Sequence, residues 1–251
     1  LSPRLIEPGR LTVAQLLKNH SYHTAAIGKW HLGMDWVKLP GKDVAELTIE
    51  SPAQVHNVDY AQPFKNGPTS VGFDYYFGIS ASLDMVPYTF IENDKVVANP
   101  TEDRDLVMFA GKPGRTRKGP AAPGFEAEGV LPTLRDKAAA YIAGRAKEKS
   151  PFFLYLPLTT PHTPVAPSKE WDGQGKAPPD FTFGTVYRDG GLVTHFLQCS
   201  ANHVHLGGRV IDDQNKGHRI PLLGIRRGAA HVLFDRTEEF FTGKRFCQIV
   251  L

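Results

Sequence analysis

The chain holds 251 residues, 41% hydrophobic and 22% charged, which is the make-up of an ordinary globular protein with room for one large domain or two small ones. A net charge of +3 is too mild for a nucleic-acid footprint. The longest apolar run, Phe152 to Leu158, falls well short of the ~20 residues that a membrane-spanning helix needs. Basic and acidic residues balance up to Asp172, so the excess positive charge lies in the last third, together with both cysteines, Cys199 and Cys247. Two cysteines make no disulfide framework. The opening Leu1-Ser2-Pro3-Arg4 has neither an initiator Met nor a signal-peptide pattern, so a longer parent chain is expected and the compartment stays open.

Thr12 is placed to cap a short helix whose apolar residues Val13, Leu16 and Leu17 fall at helical spacing, with Asn19 to Ser21 as its end. His23 to Lys29 then reads as a buried strand entering a loop at Gly28. From about Pro40 to Val130 the chain is rich in Gly, Pro and charge and reads as an excursion from the sheet. Gly111 to Pro120 is its most linker-like and most basic part, expected as a solvated loop. Thr133 and Asp136 resemble a capping box for a helix beginning at Pro132 and running to about Lys147, with Leu134, Ala138, Tyr141 and Ile142 as its apolar stripe. Phe152 to Leu156 follows as a continuous apolar strand. Helices alternating with such strands predict an α/β fold with a mostly parallel sheet flanked by helices, whose polar sites gather at the C-terminal ends of the strands. Beyond Asp172 no sustained helical or strand period remains. Residues 1–172 are therefore expected to form the folded domain, and 173–251 a divergent, degenerate or poorly ordered tail.

The chemistry concentrates at Gly28-Lys29-Trp30-His31-Leu32-Gly33, just after the first strand. A Lys and a His two residues apart in a Gly-bounded loop can present a cation and an imidazole to one anion. Taken alone, a surface Lys beside a packed Trp and a structural His fits the same residues. Trp30 reads as packing, and His20 and His23 as exposed or capping residues. In the tail, His195, Cys199, His203 and His205 follow an H-x3-C-x3-H-x-H spacing. On a helix, positions 195, 199 and 203 would share one face, so a zinc-binding or interaction module is a second hypothesis beside that of scattered histidines.

The segment from Gly9 to Gly33, ending Ala25-Ala26-Ile27-Gly28-Lys29-Trp30-His31-Leu32-Gly33, closely resembles the second signature of the arylsulfatase family. Gly72-Phe73-Asp74-Tyr75-Tyr76-Phe77-Gly78-Ile79 is similar to that family's G-F-D-x-x-x-G segment, and Phe152 to Leu156 with Pro161-His162-Thr163-Pro164 to its strand and P-H-x-P loop. The resemblance implies an alkaline phosphatase-like α/β fold. It also implies hydrolysis of sulfate esters of small molecules or glycans by a formylglycine nucleophile beside a divalent cation, usually calcium, in an extracytoplasmic setting. By position in those motifs, Lys29 would bind the sulfate, and His31 would bond the hydrated formylglycine and help release sulfate. His162 would contact the leaving-group oxygen. Ser82 sits where some relatives place a sulfate-contacting serine, a plain loop serine being the alternative. A phosphoryl or phosphonate ester hydrolase of the same superfamily would use a similar set.

The family's C-x-P-S-R motif, whose Cys becomes the formylglycine, does not occur in the sequence. Cys199 lies in Gln-Cys-Ser-Ala-Asn and Cys247 in Phe-Cys-Gln-Ile-Val. The paired Asp of the family's first strand and its later D-N-G are likewise not found, Asp212-Asp213-Gln214-Asn215 being the nearest combination. No metal ligand is therefore assigned. Gly217-His218-Arg219-Ile220-Pro221 echoes the family's G-G-x-R-x-P segment. The loss of pattern around it suggests a rearranged or frameshifted tail, and the chain as it stands is expected to be inactive.

Overall fold

The computed structural model describes residues 2–40, 52–109, 113–160, 162–167, 187–188, 191–192 and 247–250. In chain order its elements are α1 (Val13–Asn19), β1 (His23–Lys29), α2 (Pro52–Val55), β2 (Tyr75–Ile79), β3 (Ile91–Glu92), β4 (Lys95–Val96), β5 (Glu102–Arg104), β6 (Gly119–Ala121), α3 (Ala127–Arg145), β7 (Phe152–Tyr155), β8 (Tyr187–Arg188), β9 (Gly191–Leu192) and β10 (Cys247–Val250). Six of the strands form one sheet in the order β10-β7-β1-β2-β3-β4. The first four run parallel, while β3 and β4 turn back antiparallel at the edge. The predicted α/β class and mostly parallel sheet are what the chain adopts.

The central strands are apolar on both faces because both faces are covered. Successive strand residues point to opposite sides. Ala25, Ile27, Phe77, Ile79, Phe152 and Leu154 therefore join Val130, Leu134, Ala138 and Ile142 of α3 in one core. Ala26, Tyr76 and Phe153 join Ala14, Trp30, Met34 and Phe73 in the other. Burying a side chain such as Leu134 or Leu154 stabilises the fold by about 1.5–3 kcal/mol. A polar clasp adds direction to the packing of α3. Lys137 Nζ lies 3.1 Å from Glu92 Oε1 and 4.3 Å from the centroid of Phe77, while the Tyr75 hydroxyl donates to the same Glu92 oxygen at 2.7 Å.

The Gly72-Phe73-Asp74 segment locks α1 and β1 to β2. Gly72 adopts φ +105°, and a Cβ there would collide with the backbone of α1 at Gln15, so only glycine admits this approach. Phe73 packs against Trp30, Phe153 and Tyr155. Asp74 accepts from the Thr24 backbone N–H at 2.9 Å and pairs with Lys18 at 2.7 Å. Thr12 caps α1 by accepting from the Gln15 N–H at 3.0 Å, and its own hydroxyl donates to the Val71 carbonyl at 2.6 Å.

Four local expectations are corrected. The stretch from Pro40 to Val130 is not outside the sheet, because it supplies the central strand β2 and the edge strands β3 and β4. Its Gly and Pro residues lie in the loops around a buried Tyr76-Phe77-Gly78-Ile79 core. The helix predicted from Pro132 begins at Ala127, with Pro132 inside it and no side-chain cap at Glu126. Burial of Ala127 and Val130 anchors its first turns. Thr133 bonds back to the Gly129 carbonyl at 2.7 Å instead of capping. On α1 the buried residue is Ala14, while Val13 and Leu16 stay exposed, since contact at Gly72 requires a small side chain. The part of the 111–120 loop that is described is tied back, Arg115 to Asp105 and Lys118 to Asp103, and it ends in the buried strand β6. His195, Cys199, His203, His205, the Asp212 to Asn215 segment and the Gly217 to Pro221 echo lie outside the described residues.

Two predictions follow from this packing. Gly28 has φ +142°, and a Cβ there would strike the carbonyl of Pro157. Gly28→Ala is expected to lose about 2 kcal/mol or more in chemical unfolding. Gly129→Ala, on the exposed side of α3 with open space around it, should gain about 0.5–1 kcal/mol. Asp74 titrates below the ordinary carboxylate range. Burial opposes that shift, but the Lys18 and Thr24 hydrogen bonds and the Lys18 charge together outweigh it. Its contribution is present above the unfolded carboxylate value of about 4 and is lost as pH falls through the folded value. Unfolding curves between pH 2 and 6 should show this loss in the unmodified chain and less of it in Asp74→Asn.

Candidate active site

The parallel register places the C-terminal ends of β1, β2 and β7 side by side, with Lys29 opposite Ile79 and Ala26 opposite Tyr155. Beyond the strands the backbone keeps pairing. Lys29 N–H donates to the Pro157 carbonyl at 2.8 Å, Trp30 N–H to Ile79 at 3.0 Å and His31 N–H to Ser80 at 3.0 Å. The loop after β1 is thus stitched on one side to the loop after β7 and on the other to the loop after β2. Close approach is possible because Gly28 and Gly78 have no side chains, and a Cβ on Gly78 would strike the Gly28 carbonyl.

The segment Gly28 to Gly33 is held as a rigid turn. Trp30 is buried, and its indole N–H donates to the Gly33 carbonyl at 2.8 Å. His31 takes φ +57° and Gly33 φ +74°, a conformation that costs a non-glycine residue about 1–2 kcal/mol. The amino-terminal strap offsets part of that cost, through Leu5 N–H to Leu32 O and Met34 N–H to Ser2 O at 3.0 and 3.1 Å. Trp30 therefore packs as expected. His20 likewise closes α1, its Nδ1 standing 2.8 Å from the Leu16 carbonyl, and His23 pairs with Glu148 at 3.3 Å.

The four predicted site residues come from the three stitched loops. Lys29 ends β1 and His31 follows two residues later. Ser82 is buried in the loop after β2, with Oγ 3.3 Å from His31 Nδ1. His162 lies in the loop after β7, half-exposed, with Nδ1 2.7 Å from the Thr163 carbonyl and 3.8 Å from Asp84 Oδ1. Burial holds the His31 imidazole below its ordinary value of 6.5. The charges of Lys29 and His162 add to that effect, and Asp84 opposes it. At neutral pH His31 is therefore an uncharged ring, with Nδ1 in contact with the Ser82 hydroxyl.

Asp84 escaped the sequence reading. The available signal was a lone carboxylate two residues after Ser82 in the otherwise apolar or small stretch from Gly78 to Pro87. Among the described residues no three His, Cys, Asp or Glu side chains converge to hold a metal ion. The described part of the site thus brings together one lysine, two imidazoles, a hydroxyl and a carboxylate.

The sulfatase family model matches residues 5–213, and the chain belongs to the sulfatase family. It is 25% identical to an N-acetylgalactosamine-6-O-sulfatase of Bacteroides thetaiotaomicron over 93% of this chain and 51% of that protein. It is 27% identical to arylsulfatase G of Rattus norvegicus over 62% of this chain and 26% of that one. A solved structure from work on glycosaminoglycan metabolism by Bacteroides thetaiotaomicron aligns with a TM-score of 0.49 and 24% identity, covering 69% of this chain and 38% of that one. The chain spans about half the length of the first of these relatives.

The electrostatics give a titration test. Because protonation of His31 is disfavoured in the folded chain, stability falls as pH drops from the unfolded histidine value of about 6.5 through the folded value. Imidazole NMR should place the His31 midpoint below that of a free histidine, and Lys29→Ala should raise it. A midpoint that ignores Lys29 would show that the two side chains do not share a site.

Proposed function

We propose that this chain carries the anion-binding wall of a sulfuric ester hydrolase, with Lys29, His31, Ser82 and His162 as the residues that receive the sulfate ester. The observation that carries this reading is that the loops bearing them are stitched together at the C-terminal ends of β1, β2 and β7, within the residues that match the sulfatase family. A sulfuryl group in transfer spreads negative charge over its oxygens, so fixed donors and cations stabilise it. Lys29 supplies the full charge, and His31 offers its Nε2–H to an oxygen while Ser82 fixes its tautomer. His162 stands in the position of a proton donor to the leaving-group oxygen. The substrate class is a sulfate ester of a small molecule or glycan, and an extracytoplasmic setting is part of the proposal because the family resemblance suggests it. Among the described residues no helix is long and apolar enough to cross a membrane.

Sulfatases generally use a metal ion and a formylglycine nucleophile. The described residues do not fit a calcium cage, and neither cysteine has the C-x-P-S-R context. The chemistry read here therefore runs through neither group. These 251 residues by themselves are expected to bind sulfate and not to turn it over.

Calorimetric titration with inorganic sulfate and with 4-nitrophenyl sulfate tests both halves. Binding should weaken about tenfold in Lys29→Ala, the loss of roughly one charge-assisted hydrogen bond. No 4-nitrophenol should appear with calcium added. Equal affinity in the variant would remove Lys29 from the site. Turnover abolished by Lys29→Ala would overturn the expected inactivity. Phosphate bound much more tightly than sulfate would move the reading to phosphoryl esters.

A further inference from the structure

Asp84 is placed where nothing in the reading above gives it a task. Its Oδ1 is shut off from solvent and has no hydrogen-bond donor among the described residues. A carboxylate oxygen buried in that way is costly unless a cation or an N–H faces it. The side chain that stands beside it is His162. A carbonyl can only accept, so the 2.7 Å contact from His162 Nδ1 to the Thr163 oxygen puts the ring hydrogen on Nδ1. The same Nδ1 stands 3.8 Å from Asp84 Oδ1. That separation is longer than a hydrogen bond, and contacts of this kind commonly tighten once a ligand fills the site.

We infer that Asp84 is a positioning residue that acts through His162, standing behind Nδ1 so that the ring keeps Nε2 free for an oxygen of the bound ester. A second acceptor beside Nδ1, after the Thr163 carbonyl, keeps the ring from turning over. Among the described residues, Lys29, His162 and Asp84 act on His31, and Asp84 also acts on the Tyr88 hydroxyl, which Arg117 faces as well. Among those acting on His31, Asp84 alone pulls towards the charged form. It thereby opposes Lys29 and His162, whose charges disfavour that form. This role rests on the reading of the site as a sulfate-binding wall.

The test is made on the full chain with 15N-labelled histidine and no ligand. In the unmodified chain His162 is expected to carry its hydrogen on Nδ1 when neutral. In Asp84→Asn the His162 ring-nitrogen signals should shift and broaden as the ring loses its second anchor, and the His31 midpoint should fall by about half a pH unit or more. Asp84→Glu should restore both, which a merely structural role would not require. Unchanged histidine signals in a folded Asp84→Asn would overturn the inference. So would a His162 hydrogen found on Nε2 in the unmodified chain, a reading that survives even if the variant fails to fold. Sulfate titration is scored apart from these signals. Its failure with the histidine shifts present removes the proposed function, and the reverse removes only Asp84.

Discussion

Everything at the candidate site depends on backbone hydrogen bonds that continue past the ends of three parallel strands. Lys29, Trp30 and His31 donate in succession to Pro157, Ile79 and Ser80, so the loop after β1 is gripped by the loops on either side. Such pairing needs the strands to lie closer than side chains would permit, and Gly28 and Gly78 meet that need. The glycines bring no functional group, yet they decide whether Lys29, His31 and Ser82 share one surface. A rigid frame of this kind fixes donors before an anion arrives, the condition under which they favour a charged transition state over water.

Much of this was legible in the sequence, because the relevant signals are local. Thr12 announces the start of α1, and the apolar runs at His23 to Lys29 and Phe152 to Tyr155 become the central strands β1 and β7. What escaped was governed by tertiary packing. β2 sits among glycines and prolines that mark loops, and its place beside β1 comes from partners distant in sequence. Pro132 looked like a helix start, but burial of Ala127 and Val130 extends α3 across it. Asp84 carries no motif of its own in the sequence reading, and its position becomes meaningful only when the loop after β2 meets the loop after β7.

The electrostatic pattern has an internal logic. Lys29 brings a full charge to the site, and desolvation with that charge disfavours the His31 imidazolium, so the two neighbours differ in charge. Ser82 orients the neutral ring and Asp84 faces the other imidazole. Membership of the sulfatase family rests on a match across residues 5–213, while the chain spans about half of the length of the Bacteroides thetaiotaomicron relative. On the proposed reading, the wall forms one side of a sulfatase site.

The most direct test of that account is a residue-resolved NMR titration of the chain with inorganic sulfate. Shifts confined to Lys29 through His31, Ser80 through Ser82 and His162, saturating together, are the predicted result. Shifts spread over the basic segment 113–118 with none at those three loops would contradict it, since the anion would then be reading surface charge and not the wall.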